Sequence, residues 1–175
     1  MIIELSKHHG LGNDFLVVFA PQVSDLPALA RRLCDRRRGV GADGLLIAEV
    51  LDQRRDGAAA RMVLYNADGS RAEMSGNGIR CFVQALARRD GELGDVTILT
   101  DAGERLVRMR ATDDPDTIIA SVDMGPVMQI DGPHGWESVG AHPDRPVMHL
   151  SLGNPHSVVG VEDVAVVDLA SLGAL

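Results

Sequence analysis

Ser75 opens a short polar loop whose residue types suit acid–base chemistry and anion binding. The loop, Ser75-Gly76-Asn77-Gly78, leads directly into an apolar-periodic segment. The first turn of a helix presents unpaired backbone N–H groups and the positive end of the dipole, so the start of this segment favours a carboxylate or another anion. The two glycines would let a ligand approach the backbone closely. Serine is also a common helix N-cap, and taken alone the loop fits a purely structural cap equally well.

Three further asparagines lie in polar turns that follow strand-like segments: Asn13, Asn66 and Asn154. A side-chain amide both donates and accepts hydrogen bonds, which suits recognition of a zwitterionic amino acid. Taken one at a time, each asparagine is more simply explained as a turn former. His156 follows two residues after Asn154 and is either a group that tunes a nearby proton transfer or an ordinary loop residue.

The elements that must position these residues follow from apolar periodicity. Apolar residues at i, i+3, i+4, i+7 and i+8 from Ile79 predict a central helix over residues 77–89. An earlier helix is predicted to start near Asp25 and to end within residues 36–39, where three arginines precede a glycine. Alternating or short apolar runs predict strands at residues 2–9, 15–19, 45–48, 61–65, 96–99, 105–109, 117–122, 147–152 and 157–161.

These elements predict an α/β (α+β-like) fold in which a mixed, largely antiparallel sheet wraps around the central helix. Residues 125–145 contain three prolines and four glycines, which predicts an irregular surface loop. The segment from Asp168 to Gly173 has the pattern of the start of another helix.

Composition narrows the class of protein. The 175 residues carry 17 basic and 25 acidic side chains, a formal charge of −8, and the bases are scattered, which argues against a nucleic-acid partner. No apolar run approaches the roughly 20 residues that cross a bilayer, and no secretory signal opens the sequence, so we expect no membrane partner and a cytoplasmic protein. Cys34 and Cys81 lack the spacing of a disulfide framework or a zinc site, and no metal is expected.

Five motifs resemble those of the diaminopimelate epimerase family and occur in the same order. The resemblance covers essentially the whole chain. The motifs are Lys7-His8-His9-Gly10-Leu11-Gly12-Asn13-Asp14-Phe15, Arg38-Gly39-Val40-Gly41-Ala42-Asp43-Gly44, Asn66-Ala67-Asp68-Gly69-Ser70, Gly76-Asn77-Gly78-Ile79-Arg80-Cys81 and Gly153-Asn154-Pro155-His156. The resemblance implies an isomerase that interconverts LL- and meso-diaminopimelate without pyridoxal phosphate or metal, in lysine and peptidoglycan biosynthesis. It also implies two similar lobes related by pseudo-two-fold symmetry, each supplying one catalytic cysteine.

The resemblance assigns roles by position. Five residues are implied to contact the substrate, and His156 to modulate the catalytic pair. The substrate contacts are Asn13, Asn66, Gly76, Asn77 and Asn154. Ser75 stands where the family has its first catalytic cysteine, and a serine hydroxyl is too weak an acid to serve as a base near neutral pH unless it is activated.

Other departures from the family pattern bear on function. Cys81 lies six residues beyond Ser75, about 9 Å of helical rise, and cannot simply replace the missing thiol. Gly44 stands where many members have a glutamine that touches the substrate. No counterpart of the second lobe follows Leu175, so residues 1–175 are expected to form the N-terminal lobe alone.

Three functions therefore remain open from the sequence. The chain is one lobe of a diaminopimelate epimerase, completed by a second lobe or by a homodimer. Alternatively it is a catalytically inactive amino-acid-binding lobe, or part of a one-base isomerase or dehydratase of the same superfamily. All three expect a small amino-acid ligand and no cofactor.

Overall fold

The computed structural model describes residues 2–51, 58–139 and 145–168. It divides into two compact units, Met1–Met124 and Gly125–Leu175, and each is described by itself. The first unit contains helices α1 (Leu26–Cys34) and α2 (Gly76–Asp90) and strands β1 (Ser6–Gly10), β2 (Asn13–Phe19), β3 (Gly44–Val50), β4 (Ala60–Asn66), β5 (Arg71–Ala72), β6 (Asp95–Thr100), β7 (Gly103–Ala111) and β8 (Ile118–Val122).

The eight described strands of the first unit form one mixed sheet in the order β1-β2-β3-β4-β6-β7-β8, with β5 paired to β4. Five pairs are antiparallel. The β2–β3 and β4–β6 pairs are parallel, and each is connected through one of the two helices. A parallel pair needs a long crossover, which explains why α1 and α2 interrupt the hairpins where they do. The predicted mixed, largely antiparallel sheet is confirmed.

The pairing between β4 and β6 is the shortest contact along this sheet path. Only Ala60 with Ile98 and Arg61 with Leu99 are in register there, whereas β3 and β4 pair over all seven residues of Gly44–Val50. The Asp101 carboxylate braces this junction, because it accepts hydrogen bonds from Arg71 at 2.6 and 2.8 Å and from Arg61 at 3.1 Å.

Helix α2 is the central helix that the sequence predicts, and the sheet wraps around it. It contacts β1, β2, β3, β4, β7 and β8. Its apolar stripe is buried, with Ile79, Phe82 and Val83 fully inaccessible. The helix ends at Gly91, whose left-handed backbone (φ 74°) lets its N–H donate to the Ala87 carbonyl. Burial of this stripe favours packing of the sheet around the helix.

Helix α1 packs on the opposite face of the sheet, through Leu29, Ala30 and Cys34. The prediction that it ends within residues 36–39 was wrong, because it ends at Cys34. Asp35 leaves the helical region, and its carboxylate accepts the N–H groups of Arg37 and Arg38 at 2.7 and 3.0 Å. The side chain thus offers these N–H groups an alternative to further helix.

The second unit contains a three-stranded antiparallel sheet in the order β11-β10-β9, formed by β9 (Met128–Gln129), β10 (Val147–Ser151) and β11 (Pro155–Val159). The strand–turn–strand prediction for residues 147–161 is confirmed. Residues 125–139 are not wholly irregular as predicted, because β9 pairs with β10 and a 3-10 turn forms at Trp136–Val139. The Trp136 and His149 rings pack edge-on, with their centroids 4.8 Å apart. The helix predicted beyond Asp168 lies outside the described residues.

Candidate functional site

Ser75 is the N-cap of helix α2. Its backbone is extended (φ −141°, ψ 120°), and its hydroxyl oxygen accepts the Gly78 N–H at 3.0 Å. Gly78 makes room for this cap, since a Cβ there would lie 3.2 Å from the Ser75 hydroxyl oxygen and 3.1 Å from its Cβ. Among the described residues, the Ser75 side chain makes this one hydrogen bond, and no carboxylate or imidazole accepts the proton of its hydroxyl.

The first turn of α2 keeps backbone donors available. No acceptor among the described residues takes the N–H of Gly76 or of Asn77, while the N–H groups of Gly78 and Ile79 bond to the Ser75 side chain and carbonyl. Among the described residues, a Cβ at Gly76 would have Met124 as its neighbour, at 3.7 Å from the sulfur. This turn therefore presents two donors and a positive dipole end that an anion can reach.

Two of the predicted asparagines meet at this turn. The Asn77 amide donates to Asn13 Oδ1 at 3.3 Å, and the Asn13 amide donates to Asp43 Oδ2 at 2.8 Å. Gly10 packs against the backbone of Asn77, so the β1–β2 turn lies on the end of the helix. The structure thus brings Asn13, Gly76 and Asn77 together with Ser75, as the sequence predicts.

A network of charges holds the β1–β2 turn against the glycine-rich bend before β3. Arg36 donates to Asp14 at 2.6 and 3.1 Å and to Asp43 at 2.8 Å, and Lys7 bonds to Asp14 at 3.0 Å. Arg36, with help from Lys7, holds the pKa of Asp14 well below its usual range, because both favour the charged carboxylate. Asn13 is therefore held, on the side away from Asn77, by Asp43, which is itself ion-paired with Arg36.

Asn66 lies at the end of β4, across from Gly44 in the β3–β4 pairing. Its amide donates to the Ser70 hydroxyl at 3.0 Å, and the next residue, Ala67, donates its N–H to the Asp43 carbonyl at 3.1 Å. Asn66 thus belongs to the same cluster of turns as Asn13, although no hydrogen bond joins the two side chains among the described residues.

Asn154 and His156 belong to the second unit. Asn154 lies in the turn between β10 and β11, His156 lies in β11, and the His156 ring bonds to Asn154 Oδ1 at 3.0 Å through Nε2. His156 is exposed. The substrate-contact role of Asn154 and the modulating role of His156 stay predictions.

The native thiols lie in the two cores. Cys34 and Cys81 are both free and 2% exposed, and burial raises the pKa of each to about 11. A thiol so placed is protonated near neutral pH and inert as a base.

Position 44 has no room for a side chain, because a Cβ there would come 2.9 Å from the Tyr65 carbonyl oxygen and 3.0 Å from the Phe15 ring.

Sequence reasoning missed two residues that contact the predicted asparagines, Asp43 and Arg80. Arg80 donates from Nε to the Gly76 carbonyl at 3.1 Å and from its terminal nitrogen to Asn77 Oδ1. Both residues lie inside the motifs noted above, but their partners are set by tertiary contacts, and the only local signal was the i, i+3 spacing of Asn77 and Arg80.

The described part of the chain has neither a metal-binding cluster nor a membrane-spanning helix. Residues 2–51, 58–139 and 145–168 hold no group of three or more His, Cys, Asp or Glu side chains arranged to bind a metal ion. Over the same residues, no helix has both the length and the apolarity needed to span a bilayer.

Comparison with solved structures identifies the fold. A probable proline racemase from Agrobacterium radiobacter superposes with a TM-score of 0.66 at 18% identity, covering 98% of this chain and 53% of that one. A predicted epimerase from Pseudomonas aeruginosa superposes with a TM-score of 0.67 at 16% identity, covering 91% of this chain and 59% of that one. Both matches show that this chain shares the architecture of half of a larger protein.

Comparison of sequences identifies the family. The diaminopimelate epimerase from Synechococcus elongatus is 38% identical over 191 aligned positions, covering 100% of this chain and 65% of that protein. The diaminopimelate epimerase from Desulforudis audaxviator is 42% identical over 171 positions, covering 90% and 59%. This chain spans about three fifths of the length of these curated relatives. The family model for diaminopimelate epimerase matches residues 5–130, and the chain therefore belongs to the diaminopimelate epimerase family.

Proposed function

We propose that this chain supplies one lobe of a site that epimerises LL-diaminopimelate to meso-diaminopimelate without pyridoxal phosphate, in lysine and peptidoglycan biosynthesis in the cytoplasm. One observation supports this proposal most directly. In a member of this family, the side-chain amides of Asn13 and Asn77 lie at the start of α2, where the N–H groups of Gly76 and Asn77 have no acceptor among the described residues.

This arrangement fits the chemistry of the reaction. The α-proton of an amino acid is very weakly acidic, so its removal needs stabilisation of the negative charge that spreads into the carboxylate. Backbone donors at a helix N-terminus provide it in fixed positions. Asn66 and Asn154 are proposed to hold other polar groups of the ligand, and His156 to modulate proton transfer. Residues 1–175 are proposed to act as the N-terminal lobe, and a second lobe or a second copy of the chain to supply the opposite face.

A second candidate, an amino-acid-binding lobe without catalysis, is favoured by the state of Ser75. Its hydroxyl caps α2 and has no base beside it among the described residues, so nothing there generates an alkoxide. The resemblance places a family cysteine at this position. A cysteine at a helix N-terminus can act as a base far more readily than serine, because the dipole lowers the pKa of the thiol and more of it is ionised near neutral pH.

Deuterium exchange separates these functions. The chain is incubated with LL-diaminopimelate in heavy water, and the α-proton signals of both stereoisomers are followed by NMR, after binding has been measured by calorimetry. Exchange with inversion indicates an epimerase, exchange without inversion a one-base enzyme, and binding without exchange a binding lobe.

The matched variants are Ser75→Cys and Ser121→Cys. Both introduce one thiol, but Ser121 lies exposed on β8, where its partner across the sheet is Arg108 of β7. We expect Ser75→Cys to raise the exchange rate at least tenfold over the wild-type chain and Ser121→Cys to leave it unchanged. Absence of diaminopimelate binding by the folded wild-type chain would contradict both candidates.

A further inference from the structure

We infer that Asp43 and Arg80 are positioning residues that fix the direction in which the Asn13 and Asn77 amides point. The value of this direction for ligand binding rests on the proposed function. Four side chains are hydrogen-bonded in a row, in the order Asp43, Asn13, Asn77 and Arg80. The direction of the two amides follows from the type of group at each end of this row.

Asp43 sets one end. An ionised carboxylate only accepts hydrogen bonds, so the Asn13 group 2.8 Å from Asp43 Oδ2 must be the amide NH₂. Asp43 is itself held by Arg36 at 2.8 Å and by the Asp14 N–H at 3.0 Å. The oxygen of Asn13 is thereby turned toward Asn77.

Arg80 sets the other end. A guanidinium only donates, so the Asn77 atom that it contacts must be the amide oxygen. The bond from Arg80 Nε to the Gly76 carbonyl fixes the guanidinium along the helix. The NH₂ of Asn77 is then directed to the oxygen of Asn13, at 3.3 Å. Asp43 and Arg80 impose the same direction on the two amides. If either amide flipped, two donors or two acceptors would face each other.

Asn66 is oriented in a similar way, but the group that it leaves free is different. The Ser70 hydroxyl donates to Asp68 Oδ1 at 2.6 Å, so its oxygen must accept from Asn66, and the NH₂ of Asn66 faces Ser70 at 3.0 Å. The oxygen of Asn66 has no donor among the described residues. An aspartate therefore fixes each asparagine, directly for Asn13 and through a hydroxyl for Asn66.

The groups left free on these asparagines complement the two charged groups of an amino acid. Asn13 and Asn77 each use one amide N–H within the row of hydrogen bonds and keep a second N–H, which suits a carboxylate because a carboxylate only accepts hydrogen bonds. Asn66 also keeps a second N–H, but it differs from the other two in having an oxygen without a donor among the described residues, which suits an ammonium group. Asp43, Arg80 and Asp68 would thus set which end of a zwitterion each asparagine receives, without touching the ligand.

The test reads the side-chain amide signals of Asn13, Asn66 and Asn77 by NMR in the full chain, without ligand. The variants are Asp43→Asn, Arg80→Met, Arg80→Lys and Asp68→Asn, and the backbone amide spectrum reports whether each one folds. We expect Asp43→Asn and Arg80→Met to shift the Asn13 and Asn77 signals and to leave those of Asn66 in place. Asp68→Asn should do the reverse, and Arg80→Lys, which keeps a donor, should lie closer to wild type than Arg80→Met.

Calorimetry with LL-diaminopimelate gives the second readout. Loss of a hydrogen bond to a charged group should weaken affinity on the order of tenfold in Asp43→Asn and Arg80→Met. Unchanged Asn13 and Asn77 signals in both folded variants would overturn the inference. If Asp43→Asn fails to fold, the Arg80→Met and Arg80→Lys pair decides. If the signals move as expected while the wild-type chain binds no diaminopimelate, the orientation stands and the proposed function falls.

Discussion

The two helices of the first unit start with the same type of cap and differ in the turn that follows. In α1 the Asp25 carboxylate accepts the Ala28 N–H at 2.9 Å, and in α2 the Ser75 hydroxyl accepts the Gly78 N–H at 3.0 Å. The α1 cap is anionic and Pro27 in its first turn has no N–H, whereas the α2 cap is neutral and two glycines follow it. Capping stabilises both helices, but only α2 leaves a positive end open to an anion.

The helices also differ in how they are buried. Helix α2 lies inside the curled sheet and α1 lies on its outer face, where fewer of its residues are buried. The helix that presents the candidate site is therefore the one whose position is fixed from several sides.

The largest expected effect tests this difference in burial. Phe82→Ala should lower the free energy of unfolding by about 3–5 kcal/mol, because Phe82 is fully buried between α2 and the sheet. Leu29→Ala in α1, 3% exposed, should cost less, about 2–3 kcal/mol, because its surroundings can relax toward solvent. Urea unfolding of the two variants measures both, and equal losses would contradict the claim that α2 is the more constrained helix.

Thiol reactivity compares the start of α2 with the two buried cores. A cysteine introduced by Ser75→Cys should react with iodoacetamide at least about 100-fold faster than Cys34 or Cys81, because it lies at a positive helix end while burial raises the pKa of both native thiols to about 11. Peptide mass spectrometry of the single folded variant measures all three rates under one condition. Modification of Cys81 at a similar rate would show that the core opens readily.

Exchanging the cap types tests the charge at the α2 end. Ser75→Asp should keep the cap, since aspartate and serine cap about equally well, but should weaken diaminopimelate binding on the order of tenfold through repulsion of the carboxylate. Asp25→Ser is the matched control and should leave both stability and binding near wild type. Calorimetry and thermal unfolding separate the two effects. Undiminished binding by Ser75→Asp would place the carboxylate elsewhere.

The smallest expected effect concerns acid stability. The pKa of Asp14 is lowered by Arg36 and Lys7, so its contribution is present above the unfolded pKa of about 3.9 and is lost as pH falls below that value toward the folded pKa. Asp14→Asn should be less stable than wild type at pH 7 and should lose less stability on acidification below about pH 4. Urea midpoints of the two proteins over this range check the sign, and parallel curves would contradict it.

The sequence predicted the architecture well where its signals were long. The α2 stripe runs over three turns between a serine cap and a glycine stop, and the helix was placed within a residue at each end. The end of α1 was misplaced because the Asp35 side chain competes locally for the N–H groups that a longer helix would use. Strand β9 was missed because two residues carry no periodicity, and its pairing with β10 is decided by the fold.

The candidate site was predictable only in part. The motifs identified Asn13, Gly76 and Asn77, and the structure brings them together. The roles of Asp43 and Arg80 could not be read from the sequence, since each depends on a partner supplied by another turn or on the helix surface. Substrate contacts at Asn66 and Asn154 and modulation by His156 remain predictions that ligand binding must test.

The short pairing between β4 and β6 has a consequence for folding. Two registered pairs, the hydrogen bond from the Ala59 N–H to the Thr97 carbonyl and the Asp101 ion pairs join the β6–β8 meander to the rest of the sheet, while longer ladders hold each side together. Such a junction is where sub-global opening should begin, with the meander exchanging its amide hydrogens as one cooperative block before β2, β3 and β4 do. The order of exchange would then follow the boundary that Asp101 bridges.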